Sequence, residues 1–232
     1  MIREVNESLS EKLHDDDTYK SFTVSSLLGL AIDKESEIYI NKNYYIRFTI
    51  LDNNLFKKIA TNLFQKQMFK SDIKLENISF KVERVLYDNT KSQWAGIFDL
   101  NKIIHKEDFS KQITMRFYTP TLFKSGDKFN IKPETRLIFI GLLRKYNKYS
   151  AYKLDESLIH EFENIVVKED KTKLRKVQMK NGYFIGFTGN LTIEIQSENI
   201  ELIKMINILS EFAFYAGVGY KTTMGLGQVK RV

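Results

Sequence analysis

The order of periodicities in the second half of the chain restricts the fold more than any other feature of the sequence. Gln112 to Phe123 is rich in β-branched and aromatic residues and reads as a strand, with Pro120 marking an edge or bulge because proline cannot donate to a ladder. Glu134 to Tyr146 follows Pro133 and reads as a helix, and a further helix is expected near Glu156 to Glu163. Two strands come next, around Leu174 to Met179 and Phe184 to Gln196, joined near Asn181-Gly182, a dipeptide that favours tight hairpin turns. Leu202, Ile206, Leu209, Ala213 and Ala216 then fall on one face of a last helix. A glycine-rich loop from Gly217 to Gly227 leads into a closing strand, Gln228 to Val232.

That order, strand-helix-strand-strand-helix-strand, defines a ferredoxin-like domain. The first half follows it with the opening strand missing. Ile2, Val5, Leu9 and Leu13 mark an amphipathic helix ending near His14, and Lys20 to Leu30 and Ile38 to Ile50 form a hairpin across the polar turn Asp33 to Glu37. Leu55, Ile59, Leu63 and Phe64 give a helical stripe behind the N-cap candidates Asn53 and Asn54, and Ile73 to Tyr87 reads as a strand pair. The fold class is therefore α+β, two tandem ferredoxin-like domains over residues 1–105 and 106–232. At 232 residues and 43% hydrophobic content, the chain buries roughly 70% of its unfolded surface.

No apolar run approaches the roughly 20 residues of a membrane span, and the charged first residues do not suit a secretory signal, so a cytoplasmic protein is expected. The absence of cysteine excludes disulfides, thiolate catalysis and Cys-ligated metal centres. A formal charge of +7 favours polyanionic partners. Arg144, Lys145, Lys148 and Lys153 interleave with Tyr146, Tyr149 and Tyr152, while Lys171, Lys173, Arg175, Lys176 and Lys180 form a second cluster. Cations beside rings suit single-stranded RNA, although solvated lysine-rich faces give the same pattern.

The loop Gly217-Val218-Gly219-Tyr220-Lys221-Thr222-Thr223-Met224-Gly225-Leu226-Gly227 carries the most chemistry. Its glycines allow positive φ and close approach to a ligand, and consecutive amides can cradle an anion. A dinucleotide fold needs a strand before such glycines and a helix after them, whereas here the helix comes first. Tyr220 in place of glycine before Lys221-Thr222 removes the triphosphate-binding reading. A helix, then G-x-G, five residues and G-x-G before a terminal strand resembles the RAMP superfamily of CRISPR RNA-binding proteins. The resemblance implies that Gly217, Gly219, Lys221, Gly225 and Gly227 lie against RNA backbone, and we add Lys173, Arg175 and Lys176 from the basic cluster as RNA-binding candidates.

Leu13-His14 followed by Lys20-Ser21-Phe22-Thr23-Val24-Ser25 is similar to the leading segment of the CRISPR repeat endoribonucleases within that superfamily. The resemblance implies that His14 and Lys20 are catalytic. Imidazole suits removal of a 2′-hydroxyl proton near neutral pH, and an ammonium suits the charge of a pentavalent phosphorane, so no cofactor or metal is required. Asp15 to Asp17 could hold a hydrated divalent ion, but three consecutive carboxylates read more simply as a solvated loop. The chain departs from the family in lacking a strand and a tyrosine ahead of His14. The partners implied are CRISPR repeat RNA and CRISPR effector-complex proteins, with homodimerisation open and no membrane. The alternative is a non-catalytic RAMP subunit that holds guide RNA.

Overall fold

The computed structural model describes residues 20–28, 38–39, 42–75, 78–105, 109–179 and 182–232. The expected N-terminal helix, His14, Asp15 to Asp17 and the turn Asp33 to Glu37 lie outside them. Two compact units form: one from residues 1–22 and 50–97, the other from residues 23–49 and 98–232.

In the larger unit, β5 (Gln112–Thr121), β8 (Ile165–Met179), β9 (Gly182–Ile195) and β10 (Val229–Arg231) form an antiparallel sheet in the order β10-β5-β9-β8. With α3 (Thr135–Tyr149) between β5 and β8 and α4 (Ile200–Ala216) between β9 and β10, this is the ferredoxin-like arrangement. Ile113, Met115 and Phe117 are buried and alternate with the less buried Thr114, Arg116 and Tyr118. Period two therefore assigns one face of β5 to the core. Leu191, Ile193 and Ile195 do the same on β9, and Leu202, Ile206, Leu209, Ala213 and Ala216 are buried along α4.

Several boundaries differ from the expectation. The long strand 112–123 divides into β5 and a separate β6 (Phe123–Ser125), which pairs with β7 (Lys128–Asn130). Register on β5 shifts between Phe117, opposite Gly189, and Thr121, opposite Phe187, so Pro120 does mark an irregularity. Ile165 starts β8 well ahead of Leu174. Residues Glu156–Asn164 wind as a 3-10 helix, and its start is capped by Asp155, which accepts from the Ser157 amide at 2.9 Å. Lys145 and Tyr146, read from sequence as part of an RNA-facing cluster, are buried. They continue the stripe Ile138, Leu142 of α3.

In the first half, β1 (Phe22–Val24) pairs with β2 (Phe48–Ile50), a sheet of two strands among the described residues. The smaller unit carries α1 (Asn53–Met68) and the antiparallel pair β3 (Asp72–Leu75) and β4 (Ile78–Lys81). The N-cap of α1 is Asp52 rather than Asn53 or Asn54: its carboxylate accepts from the Leu55 amide at 2.7 Å. Of the expected stripe, Leu55 and Ile59 are buried. A short α2 (Leu100–Ile104) precedes β5.

Because Leu209 is fully buried, Leu209→Ala removes both transfer free energy and packing. We expect it to lower unfolding free energy by about 2–5 kcal/mol, read from the midpoint of urea unfolding at unchanged slope.

Candidate nucleic-acid interface

An α-helix ends with four carbonyls that have no partner within the helix. At α4 each finds one. The Gly217 amide donates to Ala213 O, as expected where a glycine at φ 65° ends a helix. Arg47 Nη2 donates to Phe214 O at 2.8 Å, Thr49 Oγ1 to Tyr215 O at 2.5 Å, and Lys145 Nζ to Ala216 O at 2.5 Å. Two of these donors belong to β2 and the approach to it. The hairpin following Lys20 thus closes the helix that launches the glycine loop.

Arg47 is central to this contact. It is buried, its guanidinium sits 3.8 Å from the centre of the Phe214 ring, and Nη1 donates to Gln228 Oε1 at 2.9 Å. Its own amide donates to Ser25 Oγ at 2.8 Å. Thr23 shares a hydrogen bond with Thr49, so the inward side of β1 and β2 is polar: Thr23, Ser25, Arg47 and Thr49 are all buried. Burial pushes the Arg47 guanidinium down to about 10, which leaves it charged at neutral pH. The same burial raises the Tyr215 phenol, an effect that Arg47 opposes.

The loop itself docks on the irregular end of β5. Gly227 N donates to Pro120 O at 3.1 Å, Tyr220 N to Leu122 O at 2.8 Å, Gln228 N to Thr119 Oγ1 at 2.9 Å, and Tyr118 N to Gln228 O at 2.8 Å. Val218 N closes back on Gly227 O at 2.9 Å. Gly219 and Gly227 have φ of 83° and 67°, and a Cβ at either would collide with backbone, at Leu122 and Val218 respectively. A Cβ on Gly225 would lie 3.0 Å from the Ser26 amide nitrogen. The glycines are therefore demanded by the protein's own close packing. The residues Thr222–Met224 close a short 3-10 turn, in which the Met224 amide donates to Lys221 O at 2.9 Å. Lys221 adopts φ 57°, the left-handed region costly for a side-chain-bearing residue, which is a local departure of the kind that gathers at ligand sites.

Lys173 and Arg175 are exposed on β8 and share one face with Lys171; Lys176 lies on the other, its ammonium 3.9 Å from the centre of the Tyr183 ring. Register adds cations not singled out in the sequence. Lys230 lies opposite Arg116, Arg116 opposite Asn190, and Asn190 opposite Lys171, a row across all four strands. Cross-strand neighbours share a face. Alternation along β5 could have flagged Arg116, whereas the alignment with Lys230 exists only in the folded sheet. Lys20 is half-buried two residues before β1.

These features define a ferredoxin-like protein with a glycine loop braced by an N-terminal hairpin and a cationic sheet edge. Comparison with known proteins makes this specific. Residues 1–105 match the CRISPR Cas6 N-terminal domain, and residues 115–229 match the CRISPR-associated endoribonuclease Cas6 model. A CRISPR-associated endoribonuclease Cas6 of Streptococcus thermophilus is 24% identical over 176 residues, covering 74% of this chain and 72% of that protein. One from Mycobacterium tuberculosis is 27% identical over 149 residues, 63% of this chain and 45% of its own length. A Thermus thermophilus Cas6 product complex superposes with a TM-score of 0.83 at 26% identity, over 100% of this chain and 89% of that one. The chain belongs to the CRISPR-associated endoribonuclease Cas6 family.

Two measurements test the bracing. Arg47→Met leaves Phe214 O and Gln228 Oε1 without their donor, so it should destabilise the fold by roughly 1–3 kcal/mol per acceptor in denaturant titration. Lys145 is held down to about 7 by burial, while in the unfolded chain its pKa is 10.5. The unfolded state binds the extra proton between these values, so stability attributable to this group is lowest below about pH 7 and rises towards pH 10.5. The stability difference between wild type and Lys145→Met should therefore shift in favour of wild type as pH climbs through that window.

Proposed function

We propose that this Cas6-family endoribonuclease cuts CRISPR precursor RNA within the repeat without a metal ion. His14 removes the proton from a 2′-hydroxyl, the 2′-oxygen bonds to the adjacent phosphorus, and the bond from phosphorus to the 5′-oxygen breaks. That oxygen leaves with a proton as a 5′-hydroxyl, and the other product ends in a 2′,3′-cyclic phosphate. Lys20 stabilises the doubly charged phosphorane, where an ammionium placed in advance is worth far more than a solvated one. The basic faces carrying Lys173, Arg175 and Lys176 take the backbone of the repeat. The loop containing Gly217, Gly219, Lys221, Gly225 and Gly227 approaches the phosphates near the scissile bond.

The observation that carries this reading is the clasp between the hairpin after Lys20 and the glycine loop, with Arg47 bonded to Ser25, Phe214 and Gln228 together. It ties Ser25 and Arg47 to the residues that flank the loop proposed to hold phosphate. Proximity of this kind supports catalysis when the reacting groups are held in line. A Thermus thermophilus relative of 26% identity forms a complex with its product, which agrees in direction. Among the described residues no helix is long and apolar enough to cross a membrane, and the reading places the protein with its transcript in the cytoplasm.

End-labelled repeat RNA incubated with the protein in chelator should be cut once. The cut should fall at least about 100-fold with His14→Ala, the usual scale for loss of a general base, with a smaller loss for Lys20→Ala. A single 2′-deoxyribose at the cut site should abolish cleavage while leaving binding intact. Cleavage that survives His14→Ala unchanged would sink the assignment of the base. Tight binding with no cut by wild type would sink the catalytic reading itself.

A further inference from the structure

The β6–β7 hairpin contributes nothing to the four-stranded sheet, yet it holds Phe129 with 48% of its surface in water. A lone exposed phenylalanine needs no explanation. This one is fixed. Its ring lies 5.7 Å from Phe184 of β9 in a T-shaped contact and 6.0 Å from Tyr220 of the glycine loop, and Phe184 and Tyr220 are themselves 6.0 Å apart. Beneath them, Phe184 and Tyr220 pack on the buried cluster Leu122, Val177 and Leu226. Three elements distant in sequence thus converge on one aromatic triad.

Two ammonium groups border it. Lys124, paired across the hairpin with Phe129, lies 5.9 Å from the Phe129 ring and 5.6 Å from Tyr220. Lys221 lies 5.4 Å from Phe184 and 5.2 Å from Tyr220. These separations are near the outer limit of a cation–π contact, about 6 Å, so neither charge is in close contact with a ring. A ring surface bordered by cations matches a nucleotide: a flat base joined to anionic phosphates. Bases inside a duplex have both faces stacked, whereas an unpaired nucleotide offers a free face for a ring.

We propose that Phe129, Tyr220 and Phe184 form a stacking site for one unpaired base of the bound RNA, with Lys124 and Lys221 contacting its flanking phosphates. The site rests on the reading of the chain as an RNA-cutting protein and extends it, since Tyr220 and Lys221 belong to the loop proposed to lie against the RNA backbone. Phe129 supplies the accessible aromatic surface and Tyr220 ties that surface to the loop. Stacking is tolerant of base identity, so the site senses that a nucleotide is unpaired rather than which base it carries. It would thereby favour a repeat whose single-stranded part begins next to the glycine loop.

The test uses the full chain and repeat RNA blocked by a 2′-deoxyribose at the cut site, with 2-aminopurine introduced at one unpaired position at a time. One position should lose fluorescence on binding, and Phe129→Leu, which keeps apolar bulk but no ring, should restore it. Phe129→Leu and Phe129→Ala should bind roughly 5- to 100-fold more weakly, while Phe129→Trp should bind like wild type and show that the hairpin still folds. An abasic nucleotide at the quenched position should weaken wild type by the same factor and Phe129→Leu no further. Wild-type affinity in Phe129→Leu, with no position quenched although the RNA binds, would overturn the stacking site alone. Failure of wild type to bind repeat RNA at all would overturn the parent reading and this one together.

Discussion

The C-terminal carbonyls of α4 are the constraint around which this site is built. A buried helix end without donors costs on the order of 1–3 kcal/mol for each group left unpaired, and α4 ends inside the protein, with Ala213 and Ala216 fully buried. The donors come from the glycine loop, from the Arg47–Thr49 stretch and from Lys145 of α3. Because each carbonyl points in a fixed direction, meeting all of them sets the position of three chain segments at once. The buried polarity of Thr23, Ser25, Arg47 and Thr49 then follows. A strand facing a row of unpaired carbonyls needs donors on its inner side, and apolar residues there would leave the helix end unsatisfied.

The irregular end of β5 does for the far side of the loop what the hairpin does for the near side. Pro120 cannot donate to a neighbouring strand, and the register between Phe117 and Thr121 slips at that point. Carbonyls freed from the ladder at Pro120 and Leu122 instead accept from Gly227 and Tyr220. Backbone approaches this closely only where side chains are absent, so the glycines at 219 and 227 and the proline at 120 are parts of one solution. This changes what the glycines mean. Their first role is internal, and any binding role belongs to the groups they leave pointing outward, among them Lys221.

Much of this was legible in the sequence. Period-two and period-3.6 patterns located β9, α3 and α4, and Pro120 announced the bulge. The departures have two causes, local backbone geometry and partners distant in the chain. Asp52 outcompetes Asn53 as N-cap because the chain is still extended there, at φ −104° and ψ 124°, which lets its carboxylate reach the Leu55 amide. Lys145 looked like an exposed cation beside tyrosines, but it falls seven residues after Ile138 and three after Leu142, on the buried stripe of α3. That spacing was the available clue. The alternation of Ser21, Thr23 and Ser25 was another, since a strand with small hydroxyl residues at every second position has an unusual inner face. What Lys145 meets, the end of α4, could not be read from its own segment by itself.

A clasp of this design bears on the cleavage proposed above. In a metal-independent reaction, alignment comes from protein groups held before the RNA arrives, and placement in advance is the larger part of such catalysis. Arg47 suits that role better than lysine could: its planar fork bonds Gln228 and Phe214 together while its face stacks on the Phe214 ring. The Arg47–Thr49 stretch and the end of α4, from which the glycine loop starts, are thereby joined by side-chain hydrogen bonds. On the proposed chemistry, a loop held in this way before the RNA arrives leaves less reorganisation to be done in the transition state.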